Sequence, residues 1–113
     1  MELAAGTGDT GLAVAEIIGP TGKLISSDFS ENMVEAARRE ATLLGLTNVE
    51  HRVLDAQNID LESNSVDAVL CRWGLMLMAD PAATLSESRR VLRPGGRIVH
   101  DLARTAAIGA IML

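Results

Sequence analysis

The feature that most constrains the fold of this chain is a glycine-rich turn near its beginning. Residues 1–3 have the pattern of a strand end, and residues 6–11, Gly-Thr-Gly-Asp-Thr-Gly, follow closely. Glycine allows positive φ values and a close approach to a ligand, because no Cβ intervenes. The apolar residues 12–18 then favour a helix packed on a sheet. A strand, a glycine turn and a helix in this order predict an α/β unit that binds a ligand at the turn.

The rest of the chain alternates between strand and helix patterns. Further strands are predicted at residues 23–27, 49–54, 66–72 and 97–102, and Arg-Pro-Gly-Gly at 93–96 predicts the turn before the last one. Ser30 is a suitable cap for one helix, and Asp80 with Pro81 for another. The predicted fold class is therefore α/β, with a doubly wound, mainly parallel sheet of five strands. We expect one domain over residues 1–113, cut at both ends from a longer chain.

Three acidic residues fall where predicted strands end. Glu2 lies at the end of the first strand, Asp28 after the second and Asp55 after the third. The carboxyl ends of parallel strands share one edge of the sheet, and ligands bind at that edge. We therefore expect the three carboxylates to converge on one ligand site.

The glycine turn alone fits two classes of cofactor. Residues 6–11 match the G-x-G-x-x-G pattern of dinucleotide-binding enzymes, and Asp28 lies near the distance expected of a ribose-binding acid. An NAD(P)-dependent or flavin oxidoreductase is therefore the main alternative, and a noncatalytic cofactor-binding domain is a third hypothesis. The chain has no tyrosine, so it lacks the Tyr-x-x-x-Lys pair of short-chain dehydrogenases.

The acidic residues favour a cationic cofactor over a dinucleotide. A carboxylate at Glu2 is unfavourable beside a pyrophosphate but suits a ligand that carries an ammonium and a sulfonium. Asp28 can accept hydrogen bonds from both hydroxyls of a ribose. Asp55 and Ala56 offer a carboxylate for an exocyclic amine and a backbone N–H for a ring nitrogen.

The same residues resemble the motifs of Rossmann-like (class I) S-adenosylmethionine-dependent methyltransferases. Residues 2–8 resemble the E/D-x-G-x-G-x-G signature, with Ala4 in place of its first glycine. Residues 28–33 resemble the ribose-acid motif D-x-S-x-x-M, residues 55–56 the adenine motif, and residues 92–96 the turn before the fifth strand. The resemblance covers almost the whole chain and is closest to the small-molecule branch that includes the ubiquinone and menaquinone biosynthesis C-methyltransferases.

This resemblance implies S-adenosylmethionine as cofactor, a small-molecule methyl acceptor and a set of binding residues. Gly6 and Gly8 would approach the methionine part, Phe29 and Met33 would line the adenine pocket, and Arg72 or Trp73 would lie near the methionyl amine. Because Ala4 adds a methyl group to the turn, we expect weaker binding there. No catalytic base is predicted, since most of the acceptor pocket would come from segments before and after this core. The predicted cofactor-binding residues are Glu2, Ala4, Gly6, Thr7, Gly8, Asp28, Phe29, Met33, Asp55, Ala56, Arg72 and Trp73.

Composition and spacing argue against several other classes of function. The net charge of −5 provides no basic surface for nucleic acid. The longest apolar stretch, residues 105–113, is too short to cross a bilayer. His51 and His100 have no cysteine or carboxylate at metal-ligand spacing, so no metal site is expected. A single cysteine, Cys71, allows no internal disulfide and fits a reducing, cytoplasmic setting.

Overall fold

Helices and strands alternate along the chain in the computed structural model, which describes residues 1–72 and 74–100. Trp73 and the predicted strand end at residues 101–102 lie outside the described residues. In chain order the elements are α1 (Asp9–Ile18), β1 (Leu24–Asp28), α2 (Glu31–Leu43), β2 (Val49–Val53), β3 (Val66–Cys71), a 3-10 helix (Gly74–Leu77), α3 (Pro81–Val91) and β4 (Leu92–His100).

The strands form a parallel arrangement in which residues near Glu2 join two strand pairs. β1 pairs with β2 and β3 pairs with β4, both in parallel. Glu2 forms parallel bridges to β1 and β3, where its N–H donates to the carbonyl of Ile25 (2.7 Å) and the N–H of Leu3 donates to that of Leu70 (2.8 Å). The order is therefore β2, β1, the Glu2 bridge, β3, β4. This confirms the α/β fold with a parallel sheet, although the first predicted strand is present only as this short bridge.

The helices cover the sheet from both faces. α1 packs on β1, α2 packs on β1 and β2, and α3 packs on β4. The connections through α2 and α3 run outward from the Glu2 bridge in opposite directions, so right-handed crossovers place these helices on opposite faces. This is the doubly wound arrangement that the sequence predicts.

Local signals begin both later helices as expected. The hydroxyl of Ser30 accepts a hydrogen bond from the N–H of Met33 (3.4 Å) at the start of α2. The carboxylate of Asp80 accepts from the N–H of Ala83 (3.1 Å), and Pro81 occupies the first turn of α3. These caps fix the residue at which each helix begins, and therefore the residue at which the preceding strand-end loop ends.

The predicted turn at residues 93–96 lies inside β4 as a shift of register. Val66 pairs with Leu92, whereas Ala68 pairs with Arg97, so the residues between Leu92 and Arg97 bulge out of the ladder. Gly95 has a φ of 84°, a value that favours glycine. Beyond the bulge, β4 runs in regular register to His100.

Candidate cofactor-binding site

A cavity of about 520 Å³ opens at the carboxyl edge of the sheet. That volume lies within the ~300–1,000 Å³ range of small-molecule and cofactor sites. Six predicted site residues line it, from three different strand-end loops: Ala4, Gly6, Asp28, Phe29, Asp55 and Ala56. The strand order brings these loops together, as the positions of the acidic residues predict.

Asp28 joins the glycine turn to the end of β1. One carboxylate oxygen accepts a hydrogen bond from the N–H of Gly6 (2.9 Å), and the other accepts from the N–H of Ser30 (2.9 Å). Each carboxylate oxygen has a second lone pair, so the group retains acceptor capacity towards the cavity that it lines. Asp28 therefore shapes the turn and still offers two acceptors to a pair of ligand hydroxyls.

Glu2 is a buried carboxylate without a full set of partners. Its side chain is 2% exposed, and its Oε1 atom has no hydrogen-bond partner among the described residues. Burial raises the pKa of Glu2 to about 7, against the opposing influence of the Met1 ammonium, the Gly11 amide and Arg72. A buried carboxylate in this state is stabilised by any ligand that brings a positive charge to it.

The third glycine of the dinucleotide-like pattern has a specific role here. A Cβ at Gly11 would overlap Oε1 of Glu2, so the absent side chain makes room for the carboxylate. The carboxyl group therefore packs against the first turn of α1, and the glycine lets this helix lie close to the strand segment that carries Glu2. A carboxylate buried beside the turn suits a cationic ligand better than a pyrophosphate.

The turn between Glu2 and α1 takes three left-handed residues. The φ values are 51° at Ala4, 58° at Gly6 and 95° at Gly8. A Cβ at Gly6 would meet nothing within 4 Å, whereas one at Gly8 would touch Leu12 and Ala37. Gly6 thus leaves open space in the cavity wall, and Gly8 allows α1 to pack closely. Ala4 adopts a strained conformation, in line with the expectation that this turn must tolerate a methyl group.

Asp55 and Ala56 begin the loop after β2. One carboxylate oxygen of Asp55 accepts from the N–H of Gln57 (2.9 Å), which leaves the other oxygen for a ligand. The N–H of Leu54 donates to the carbonyl of Asp28 (3.1 Å), so the β1 and β2 ends are held side by side. Both Asp55 and Ala56 line the cavity.

The other predicted residues are not part of the cavity lining, and Glu2 is one of them, buried beside Gly11. Thr7 is exposed, Gly8 is buried, and Met33 is 40% exposed on α2. Arg72 is exposed and donates to the hydroxyl of Thr10 (3.0 Å), which ties the β3 end to α1. Trp73 lies outside the described residues. Phe29 differs from these because it lines the cavity and is 78% exposed, so its ring is available to contact a flat apolar ligand.

Five lining residues are absent from the sequence-based prediction: Leu54, Gln57, Gly74, Met78 and Ala79. Leu54 and Gln57 flank the predicted Asp55-Ala56 pair, so their positions could have indicated them. Gly74 follows a strand end, which is a usable signal, but Met78 and Ala79 reach the cavity only through the path of the 3-10 helix. Gln57 accepts from the N–H of Asp80 (2.6 Å) and so links the two loops.

Within residues 1–72 and 74–100, no group of three or more histidine, cysteine, aspartate or glutamate residues is placed to hold a metal ion. His100 is 1% exposed with both ring nitrogens unpartnered among these residues, and burial lowers its pKa. In the same part of the chain, no helix combines the length and the apolar character that a membrane span needs.

The fold and the cavity are those of a Rossmann-like protein for a nucleoside cofactor with a positive charge. The donor set fits S-adenosylmethionine, because the unpartnered oxygen of Glu2 suits an ammonium and the free acceptors of Asp28 suit a ribose. The chain belongs to a methyltransferase domain family, which it matches over residues 1–110. The cofactor of the domain is S-adenosylmethionine, as the resemblance of its motifs implies.

Relatives of known sequence or structure agree with this assignment. The chain is 39% identical over 99 residues to a demethylmenaquinone methyltransferase of Lactococcus lactis, a match that covers 88% of this chain and 39% of that protein. Its fold is similar to that of an S-adenosylmethionine-dependent methyltransferase of Aquifex aeolicus, with a TM-score of 0.82, 27% identity, and 88% and 53% of the two chains covered. A [4+2]-cyclase is similarly close, with a TM-score of 0.81, 28% identity, and 88% and 36% covered. The chain spans about two fifths of the length of the curated relative from Lactococcus lactis.

Proposed function

We propose that this chain is the cofactor-binding part of a methyltransferase that transfers a methyl group to a small molecule. The observation that carries the proposal is the position of Asp28 and Asp55 in the wall of one cavity at the carboxyl edge of the sheet, with Glu2 buried near the same edge and without a partner at Oε1 among the described residues. When bound, S-adenosylmethionine would supply a methyl group on a sulfonium: a nucleophile would bond to the methyl carbon in line as the carbon–sulfur bond breaks and S-adenosylhomocysteine leaves. An NAD(P)-dependent oxidoreductase is disfavoured because a carboxylate at Glu2 is unfavourable beside a pyrophosphate.

Each predicted residue has a proposed task in holding the cofactor. Glu2 faces the charged methionine end, and Asp28 accepts from the ribose hydroxyls. Asp55 accepts from the adenine amine, and the N–H of Ala56 donates to a ring nitrogen. The backbone of the turn comes closest to the methionine part, through Ala4, Gly6, Thr7 and Gly8. Phe29 and Met33 would provide apolar cover for the adenine, and Arg72 or Trp73 would contribute near the methionyl amine.

The contribution of these residues to catalysis is mainly positional. Holding two reactants in attack geometry supplies on the order of 7–11 kcal/mol at best. The apolar residues of the cavity also exclude water from the reacting atoms. No residue of this core is assigned as a general base, because a base is required only when the acceptor must first lose a proton.

A quinone-like ring is the first acceptor to test. The curated relatives at 36–39% identity are demethylmenaquinone methyltransferases, which supports an aromatic small molecule. The similar [4+2]-cyclase shows that this fold also serves another reaction, so methyl transfer needs its own assay. We further propose a cytoplasmic protein that does not bind nucleic acid, because Cys71 is a buried free thiol and the net charge is −5.

Two measurements test the proposal. Calorimetry with S-adenosylhomocysteine should give saturable heat from the 113-residue chain, and NADH should give none. Saturable binding of NADH without binding of S-adenosylhomocysteine would contradict the proposal and indicate an oxidoreductase. The full-length protein, given methyl-labelled S-adenosylmethionine and demethylmenaquinone reduced with dithionite to its nucleophilic hydroquinone, should produce a labelled lipid-soluble product. Cofactor binding without label transfer to that acceptor or to a cell extract would favour a noncatalytic domain.

A further inference from the structure

Ala4 and Gly74 face each other across the wall of the cofactor cavity. Both residues line the cavity, Ala4 from the glycine turn and Gly74 from the start of the 3-10 helix. A Cβ placed on Gly74 would overlap the Cβ of Ala4. Two carbon atoms need about 3.5–4.0 Å between them, so the space holds one methyl group and not two.

The conflict at Gly74 is steric rather than conformational. Gly74 is absent from the glycines with positive φ, so an alanine there meets no backbone strain of the left-handed kind. The next atoms that a Cβ would meet are Sγ of Cys71 at 3.4 Å and Cε of Met78 at 3.5 Å, which are ordinary contacts. The methyl group of Ala4 is therefore the obstacle.

Neither partner is free to move away. The residues on both sides of Ala4 are fixed to the sheet, because the N–H of Leu3 donates to Leu70 (2.8 Å) and that of Ala5 donates to Ser27 (2.9 Å). Behind Gly74, the side chains of Cys71 and Leu75 are buried in the core. A second methyl group would have to displace either the glycine turn or the 3-10 helix.

We propose that Ala4 and Gly74 form a steric pair that sets the width of the cofactor cavity. The one methyl group that fits is the side chain of Ala4 on the glycine turn, and Gly74 of the 3-10 helix leaves room for it because it has no side chain. Gly74 is thereby a positioning residue for the cofactor, because it sets the position of Ala4 and of the glycine turn that also contains Gly6. The binding part of this inference rests on the proposed function, whereas the steric part does not.

A double-mutant cycle tests the pair in the 113-residue chain. The variants are Ala4→Gly, Gly74→Ala and the two combined, each measured by thermal unfolding and by calorimetry with S-adenosylhomocysteine. Gly74→Ala should lower the unfolding midpoint by more than about 5 °C and raise the dissociation constant about tenfold or more, because overpacking strains the cavity wall. The combined variant should return both values close to those of Ala4→Gly, within about threefold for the dissociation constant.

Gly6→Ala provides the matched control. It also adds a methyl group to the cavity wall, but into open space and at a φ of 58°. Its destabilisation comes from backbone strain, so Ala4→Gly should not rescue it. The inference is overturned if Gly74→Ala behaves as the wild type, if the combined variant is no better than Gly74→Ala, or if Ala4→Gly rescues Gly6→Ala equally. If the wild-type chain does not bind S-adenosylhomocysteine, the proposed function fails, and the unfolding midpoints alone decide on the pair.

Discussion

Two carboxylates at neighbouring strand ends are used in opposite ways. Both oxygens of Asp28 accept backbone hydrogen bonds, from Gly6 and Ser30, and the group lies partly open to the cavity. Glu2 is buried, has an unpartnered Oε1 among the described residues, and has a pKa raised to about 7 by burial. Asp28 therefore stabilises the free protein, whereas Glu2 costs it stability as the pH rises from about 4.5 to about 7.

The difference shows how to separate a structural acid from a ligand-binding one. When an acid with satisfied oxygens is removed, the protein loses both stability and affinity for the ligand. An acid buried without sufficient partners lowers the stability of the free protein, and only the ligand offsets that loss. Removing such an acid should therefore stabilise the free protein and weaken ligand binding. The two substitutions should thus move the free energy of unfolding in opposite directions.

The largest effect is expected for Asp28→Ala. The N–H groups of Gly6 and Ser30 lose a charged acceptor, so the free energy of unfolding should fall by about 2–3 kcal/mol. The affinity for S-adenosylhomocysteine should fall about 100-fold or more, because the ribose contacts and the shape of the turn are lost together. Denaturant unfolding and calorimetry measure the two quantities. Asp28→Asn, which keeps one acceptor oxygen, should be intermediate, and a wild-type unfolding free energy for Asp28→Ala would disprove the structural role.

Smaller effects are expected for Glu2→Gln, which should raise the free energy of unfolding but lower the affinity for the ligand. At pH 8 the variant should unfold with a free energy about 1–2 kcal/mol higher than the wild type, because a buried charge has been removed. Its affinity for S-adenosylhomocysteine should fall about tenfold, since the ammonium loses an anionic partner. Because the folded pKa of Glu2 is raised, its favourable contribution is complete below pH 4.5 and is lost as the pH rises through about 7.

The pH dependence supplies the control for this variant. At pH 4, below the ordinary pKa of 4.5, the carboxyl group is largely protonated in both the folded and the unfolded protein, so the stability advantage of Glu2→Gln should disappear. An equal advantage at both pH values would indicate that the charge of Glu2 is not its cause.

The smallest effect is expected for Phe29→Ala. The ring is mostly exposed in the free chain, so the unfolding free energy should stay within about 0.5 kcal/mol of the wild type. The affinity should fall about 3- to 10-fold, because a bound nucleoside would cover the ring. Leu43→Ala is the matched control, since Leu43 is 80% exposed and is not among the residues that line the cavity. An equal loss of affinity in both variants would remove Phe29 from the site.

The sequence predicted those parts of the site that depend on local signals. Ser30 and Asp80 cap helices through contacts three residues away. Asp28 ends β1 and Asp55 follows β2, and the order of these strands follows from the alternation of elements. Topology then places these ends together. The family, the fold class and the cofactor were accessible for the same reason, because the motifs that carry them are short and contiguous.

Contacts between distant segments were not accessible from the sequence. The overlap between Ala4 and a Cβ at Gly74 depends on the path of the 3-10 helix, and the contact between Glu2 and Gly11 depends on how α1 packs. The raised pKa of Glu2 has the same origin, since burial is set by tertiary packing rather than by neighbours along the chain. Pattern alone therefore predicted the positions of the acids but not their different states.

Proton release on cofactor binding is the most direct test of the claim that Glu2 awaits a cation. S-Adenosylhomocysteine should be titrated into the 113-residue chain at pH 5.5 and pH 7, in buffers with different ionisation heats. Because the ligand favours the anionic form of Glu2, the wild-type affinity should rise roughly tenfold between these pH values, with nearly one proton released at pH 5.5. Glu2→Gln should show neither the rise nor the release. A wild-type affinity that is independent of pH, or an equal pH dependence in Glu2→Gln, would contradict the account.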